Sequence, residues 1–232
     1  MATLNPTIPA GGGYDGGDAP SVLTDYAGRL RRARLGMAVA LTPITMLFVS
    51  FTSAYIVRQG LPTLDEKSGQ YVRDWIAVSL PVSLLLVNTF LLVMSTFTME
   101  MARRQMARRA VLTPVQTIPG VSIGDEKRFP WLAVTVVLGF GFLAGQWMAW
   151  REFASRGVYL ATTPSSSFIY LLTVSHAVHL TGGLIVLITA LVMSMGRERL
   201  ERQYIIVDTA SWYWHFMALL WIYIFALLQF AK

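Results

Sequence analysis

The sequence predicts an all-α membrane protein, a bundle of five transmembrane helices with the N-terminus inside and the C-terminus outside. Hydrophobic residues make up 54% of the 232 residues and charged residues 14%, and the mean hydropathy is +0.52. This composition is atypical of a soluble domain. Five apolar segments are also long enough to cross a hydrocarbon core about 30 Å thick, which takes roughly 20 helical residues.

The elements follow one another from a polar tail into the membrane. Residues 1–24 are rich in glycine and proline, which predicts a disordered tail before a membrane domain at 25–232. Neighbouring helices can satisfy the carbonyls freed by Pro43 and Pro81, so neither proline cancels a span. The predicted spans cover residues 35–57, 76–97, 130–150, 168–195 and 212–230.

The basic residues set the orientation of these spans. Of the 19 Lys and Arg residues, 13 lie before the first span or in the loops after the second and fourth spans. The other six lie on the opposite side. Because cytoplasmic segments carry the excess of Lys and Arg, the N-terminus is predicted to be cytoplasmic.

A basic helical segment extends the second span. Glu100 is placed to pair with Arg104 one turn later. The segment is typical of a positive-inside anchor, and the alternative is a contact site for anionic phospholipid. Since the basic residues behind the net charge of +6 lie in the segments that flank the spans, no nucleic-acid partner is predicted. The candidate lipid contacts are Arg103, Arg104, Arg108 and Arg109.

Several kinds of chemistry have no residues to support them. The chain has no cysteine, which excludes disulfides, iron-sulfur clusters, c-type haem attachment and thiolate copper sites. All Asp and Glu residues, Glu100 and Asp208 among them, are expected in loops or at span ends. Because transporters usually place a carboxylate at membrane depth, a transporter is disfavoured.

Three histidines are the only candidate ring-nitrogen ligands. His176 and His179 share a face of the fourth span, and His215 lies in the fifth. At 1.5 Å per residue, His179 is expected roughly 22 Å and His215 roughly 5 Å from the same membrane boundary, about 15 Å apart in depth. Because a metal site wants more ligands than one pair, we expect packing and hydrogen-bonding roles, with no catalytic, cofactor-binding or metal-binding residue.

Small residues mark candidate helix-packing surfaces. Gly141 and Gly145 form a GxxxG pattern on the third span, followed by Gln146, which is able to bond across an interface. Gly182 and Gly183 give the fourth span a similar surface. Such surfaces serve either packing within the bundle or docking onto a partner subunit.

Two motifs resemble those of a known family. Trp212-Tyr213-Trp214-His215-Phe216, followed by Trp221, resembles the last helix of subunit III of haem-copper terminal oxidases, the cytochrome c oxidase subunit 3 family. Ser175-His176-Ala177-Val178-His179 resembles the HGxH motif of its preceding helix. The resemblance runs from about residue 35 to 231 and fits the five-helix bacterial form. It makes His176, His179, Trp212, Trp214, His215, Phe216 and Gln146 structural family-motif residues.

The resemblance implies a non-redox accessory subunit of a proton-pumping oxygen reductase in the bacterial plasma membrane. Subunit I would be the direct partner and hold the haems and copper, with subunit II and possibly subunit IV in the same complex. Phospholipid would bind between the helices, and the chain would support proton uptake. The alternatives are the equivalent subunit of a quinol oxidase or nitric oxide reductase, and a standalone haem-b protein ligated through His176 or His179.

Two positions depart from the family pattern. The family commonly has a glutamate in its counterpart of the first span, and that place is Ile44 here. Many members also have an aspartate after the WHF sequence, and that place is Ala218. Because neither position carries a carboxylate, we do not expect this chain to bind and release protons there as relatives with those carboxylates would.

Overall fold

The chain folds into five long helices. The computed structural model describes the backbone of residues 18–64, 70–72, 75, 80–116, 130–195 and 200–230, and the side chains of 28–62, 70–71, 75, 80–108, 130–195 and 202–230. All five helices are long and apolar enough to cross a membrane, which confirms the predicted all-α class with five candidate transmembrane helices. They are α1 Asp18–Gly60, α2 Val82–Gln116, α3 Trp131–Ser155, α4 Pro164–Met195 and α5 Leu200–Phe230.

A short hairpin lies between the first two helices. Strand β1, Thr63–Leu64, pairs antiparallel with β2, Tyr71–Val72. Thr63 is opposite Val72 and Leu64 is opposite Tyr71. This two-stranded pairing adds no layer to the helical bundle.

Three helices begin six or more residues away from the start of the predicted span. Helix α1 begins at Asp18, so residues 18–24 of the predicted tail are helical, and residues 1–17 lie outside the described part. Helix α2 begins after Pro81, whose carbonyl accepts the Leu85 amide at 3.1 Å. Proline suits this position because it has no N–H to give to a preceding turn. Helix α5 begins at Leu200, well before the predicted 212.

Four of the helices form a closed ring. Helix α2 packs on α3 and α5, and α4 packs on the same two helices, so each ring member has two neighbours. Side-chain contacts pair early residues of one helix with late residues of the next, which makes ring neighbours antiparallel. The largest fully buried side chains include Trp214, Trp221, Phe142, Phe153, Leu172 and Leu180.

Helix α1 lies outside the ring, against α4 and α5. Only 11% of its most apolar window is buried within the chain, against 28% to 39% for the other four helices. Phe48 and Tyr55 are its main buried anchors. The rest of its apolar surface faces outward, to be covered by lipid or by another chain.

Candidate functional site

A cluster of charged side chains joins three helices at one end of the bundle. This end contains the start of α5 and the later part of α2. We call the group the charged cluster, and it consists of Arg34 of α1, Glu100, Arg103 and Arg104 of α2, and Asp208 and His215 of α5.

Asp208 is the buried centre of the charged cluster, with no exposed side-chain surface. Arg34 Nε donates to its Oδ2 at 2.8 Å, and Arg34 Nη2 donates to its Oδ1 at 3.1 Å. Arg103 Nη1 donates to the same Oδ1 at 3.5 Å. Since a buried carboxylate is costly unless it is paired and hydrogen-bonded, the two guanidinium groups compensate a charge that could not otherwise be buried.

Glu100 extends the charged cluster along α2. Arg103 holds it in a bidentate pair, with both N–O distances 2.8 Å. Arg104 Nε donates to Glu100 Oε1 at 2.7 Å, which confirms the pair predicted from their spacing. His215 Nε2 lies 3.9 Å from Glu100 Oε2. Arg103 thereby connects the two carboxylates of the charged cluster.

Both carboxylates, expected in loops or at span ends, lie in helices at one end of the bundle. Asp208 lies two turns inside α5, within the membrane-compatible segment Arg202–Phe230, and Glu100 lies within Val82–Arg108. The polar first turns of α5 lower the local hydropathy, so the apolar run used to place the span began too late. Asp208 was missed as a site residue for the same reason.

The arginine side chains of the basic segment of α2 point in different directions. Arg103 turns inward to the two carboxylates, whereas Arg104 has 64% of its side chain exposed. Arg108 is exposed as well. The backbone at Arg109 is helical, and its side chain lies outside the described residues. Among the candidate lipid contacts with described side chains, Arg104 and Arg108 therefore face outward.

The first two histidines have different surroundings. His176 is fully buried, with ring centroids 5.9 Å from Phe142 and 5.2 Å from Trp221. His179 Nδ1 lies 2.7 Å from the Ser175 carbonyl, and its ring meets Phe48 edge-on at 5.8 Å. The two histidines lie on one helix, but their side chains contact different residues.

The predicted 15 Å difference in depth between His179 and His215 was wrong. Because α5 begins at Leu200, His215 is roughly 22 Å along its helix, and His179 is a similar distance from the end of α4 at Met195. Tyr213 Oη donates to the His179 carbonyl at 2.8 Å, so these parts of α4 and α5 are level.

The three histidines nevertheless face different neighbours. His176 faces Phe142 and Trp221, His179 faces Phe48, and His215 faces Glu100. Over the residues with described side chains, no three His, Cys, Asp or Glu residues are grouped so that they could hold a metal ion.

The tryptophans of α5 attach this helix to α2. Trp214 is fully buried and donates from Nε1 to Ser95 Oγ at 2.9 Å. Trp221 donates in the same way to Thr89 Oγ1 at 3.0 Å. Phe216 packs partly buried against the core, whereas Trp212 is 56% exposed. The motif therefore contains both packing residues and an outward-facing one.

The candidate packing glycines fall into two groups. A Cβ at Gly145 would overlap Asn88 Oδ1 of α2, and one at Gly183 would lie 2.6 Å from Tyr213 Cε1 of α5. At Gly141 the nearest atom would be Leu91 Cδ1 at an ordinary 3.8 Å, and at Gly182 nothing would lie within 4 Å. Gly145 and Gly183 thus permit close approach of helices within the bundle, and Gly182 is open.

A second polar group lies inside the ring, away from the charged cluster. Asn88 Nδ2 of α2 donates to Gln146 Oε1 of α3 at 3.4 Å. His176 is level with them, because its ring meets Trp221, which bonds Thr89 next to Asn88. We call Asn88, Gln146 and His176 the polar layer. Asn88 was not singled out from the sequence, although an asparagine within an apolar span is a detectable signal.

Comparison with known proteins decides the family. A sequence model described as cytochrome c oxidase subunit III matches residues 27–231. The chain belongs to the cytochrome c oxidase subunit III family. It is a multi-pass membrane protein of this family, and the resemblance read from the α4 and α5 motifs is confirmed.

Individual relatives carry two kinds of name. The chain is similar to a probable cytochrome c oxidase subunit 3 of Mycobacterium bovis, 32% identical over 102 residues, which are 44% of this chain and 50% of the relative. It is also similar to quinol oxidase subunit 3 of Bacillus spizizenii, 27% identical over 208 residues, 90% of either chain. For the Bacillus subtilis quinol oxidase subunit 3 the identity is 30% over 145 residues, 62% of this chain and 64% of the relative. The match to the mycobacterial relative thus spans half of its length.

The two departures from the family pattern are apolar positions of the packed core. Ile44 packs partly buried against it, and Ala218 is buried. The carboxylates of the charged cluster, Glu100 and Asp208, lie at other positions of the chain.

Proposed function

We propose that this chain is the non-redox accessory subunit III of a proton-pumping haem-copper oxygen reductase of the cytochrome c oxidase type. It packs on and stabilises subunit I, which would contain the haems and copper, with subunit II and possibly subunit IV in the same complex. The family match over residues 27–231 carries the proposal. The three histidines support an accessory role because each faces different neighbours.

A docking surface for subunit I is proposed on α4. Gly182 is open, and the exposed Val178 and Ile185 lie one turn to either side of it on the same face. An open glycine between apolar residues allows a second helix to approach closely. This strip, Val178, Gly182 and Ile185, is where we expect a partner helix.

Gentle detergent extraction from native membranes tests this assignment. An affinity tag on this chain should recover a polytopic subunit with the absorption spectrum of haem. Gly182→Leu should lower that recovery, whereas Gly60→Leu, at an equally open glycine at the end of α1, should not. Recovery of a monodisperse, partner-free chain from wild-type membranes would contradict the proposal.

A quinol oxidase is the second candidate complex. The Bacillus spizizenii quinol oxidase subunit aligns over 90% of this chain. Oxygen consumption by the purified complex, measured with reduced cytochrome c and separately with a quinol, identifies the donor. Turnover with the quinol alone would replace the first candidate by the second. The equivalent subunit of a nitric oxide reductase is tested by nitric oxide consumption under the same conditions.

A standalone haem-b protein makes a contrary spectroscopic prediction. The purified chain would then show a Soret band that is lost in His176→Ala. Under the accessory-subunit proposal, the chain separated from its partners shows no such band. A stoichiometric, His176-dependent band would therefore overturn the proposal.

Phospholipid binding is proposed at the exposed basic residues of α2. Arg104 and Arg108 face outward at the end predicted to be cytoplasmic, where anionic headgroups attract them. Arg104→Gln with Arg108→Gln should reduce the anionic phospholipid retained by the purified complex, as measured by native mass spectrometry. Exposed Arg151→Gln, on the opposite side of the bundle, is the control, and equal losses from both would contradict the site.

Support of proton uptake belongs to the same proposal. The charged cluster lies at the end of the bundle predicted to face the cytoplasm, from which protons are taken up. Removal of this chain from the complex should slow proton uptake during turnover, measured with a pH-indicator dye. An unchanged uptake rate would contradict this part of the proposal without affecting the family.

A further inference from the structure

The polar layer leaves four buried atoms without a hydrogen bond. They are Asn88 Oδ1, Gln146 Nε2 and both ring nitrogens of His176, and none has a partner in the described part of the chain. The three residues are 2%, 1% and 0% exposed. Because a buried polar atom without a partner is costly, four such atoms at one level of the bundle require an explanation.

These atoms belong to three of the four ring helices and lie at one level in the buried interior. Asn88 and Gln146 are joined by a 3.4 Å hydrogen bond. The Phe142 ring, one turn before Gln146 on α3, lies 5.9 Å from the His176 ring and 5.0 Å from Trp221. Trp221 gives its own N–H to Thr89, so it satisfies none of the four atoms.

We propose that Asn88, Gln146 and His176 together bind water inside the bundle, within the membrane span. The atoms offer both kinds of partner, since the asparagine oxygen accepts, the glutamine nitrogen donates, and a neutral imidazole donates from one nitrogen and accepts at the other. A water molecule uses both kinds and typically makes about three hydrogen bonds when buried. An apolar ligand would satisfy none of them.

Bound water would also fix the helices relative to one another. It would connect α2 and α3 to α4 through hydrogen bonds at a level where all three present buried polar side chains. A sliding movement of α4 by one turn would carry His176 away from the two amides. The site does not depend on which electron donor or partner the complex uses.

Solid-state NMR of the full chain in lipid bilayers provides the test. With ¹⁵N-labelled histidine there are three imidazole signals, assigned by the variants His179→Asn and His215→Asn. Magnetisation is transferred from water protons to the rings, with the half-exposed His215 as the positive control. The proposal expects His176 to receive it although its side chain has no surface exposed to bulk solvent. Transfer to His215 but not to His176 would overturn it, whatever the variants show.

A variant then tests the three-residue composition. Gln146→Met keeps the length of the side chain and removes its polar atoms, and the expected result is loss of water transfer to His176. Thr135→Val, on the same helix but bonded to Thr98 at another level, should leave the transfer intact. Unchanged His179 and His215 signals establish that the variant is folded. Full transfer in a folded Gln146→Met chain would overturn the proposed site.

Discussion

Asp208 of α5 accepts two hydrogen bonds from Arg34 of α1, at 2.8 Å and 3.1 Å, and its side chain has no exposed surface. The same carboxylate accepts a longer bond from Arg103 of α2. Helix α1 is the least buried of the five, so this shared carboxylate is a principal attachment of α1 to the rest of the bundle.

Arg34→Gln should destabilise the chain more than expected for a side chain that is 42% exposed. It removes the bidentate partner of the buried Asp208 carboxylate, which then keeps the longer 3.5 Å contact with Arg103. The expected loss is about 2–3 kcal/mol in free energy of unfolding, measured by denaturant titration of the full chain in detergent. Arg156→Gln, which breaks the exposed pair with Glu152, should cost less than about 0.5 kcal/mol.

The double variant Arg34→Gln with Asp208→Asn separates charge burial from side-chain packing. Because the uncompensated carboxylate is then gone, the double variant should be more stable than the sum of the two single losses predicts. Strict additivity would show that Asp208 and Arg34 stabilise the fold independently.

Gly145→Ala and Gly141→Ala form a matched pair on one helix. A Cβ at 145 overlaps Asn88, whereas a Cβ at 141 meets Leu91 at an ordinary contact distance. Gly145→Ala should therefore lower the free energy of unfolding by about 1–3 kcal/mol through overpacking, and Gly141→Ala should leave it nearly unchanged. The same titration measures both, and equal effects would contradict the close approach of α2 and α3 at residue 145.

The sequence predicted the five helices because apolar runs long enough to span a bilayer are a strong signal, and the Glu100–Arg104 pair because its spacing is local. It did not predict the Asp208 contacts. Arg34, Arg103 and Asp208 are far apart in the chain, and the polar first turns of α5 masked the true start of that helix at Leu200. The error in the depth of His215 has this same origin.

The internal contacts of the glycines and of Asn88 could not be predicted from the sequence either. A GxxxG pattern predicts close packing but not the helix that it contacts, and α3 uses Gly145 against α2. Helix rotation decides between an inward and an outward glycine. This is why the neighbouring Gly182 and Gly183 have opposite surroundings.

Trp214→Phe should weaken the attachment of α5 to α2. The change removes the N–H bonded to Ser95 and opens space beside Gly139, where the ring now packs closely. The expected loss is about 1–3 kcal/mol, against little change for the exposed Trp212→Phe. Thermal unfolding followed by near-UV circular dichroism compares the two, and a larger effect at Trp212 would contradict the packing of α5.

The orientation of the bundle can be measured directly because the chain has no cysteine. A single cysteine introduced at an exposed position is then the only thiol available to a membrane-impermeant maleimide. Arg108 is exposed near the end of α2 that adjoins the charged cluster, and Tyr159 is exposed in the α3–α4 connection on the opposite side. The excess of basic residues at the Arg108 side predicts that this side is cytoplasmic.

Tyr159→Cys should therefore be labelled in intact spheroplasts, and Arg108→Cys only in inside-out vesicles or after permeabilisation. Detergent-solubilised samples of both variants give the maximum labelling and show that each thiol is reactive. Labelling of Arg108→Cys from the outside, with Tyr159→Cys protected, would reverse the orientation. The charged cluster would then lie on the side away from the cytoplasm, and its proposed connection with proton uptake would fail with it.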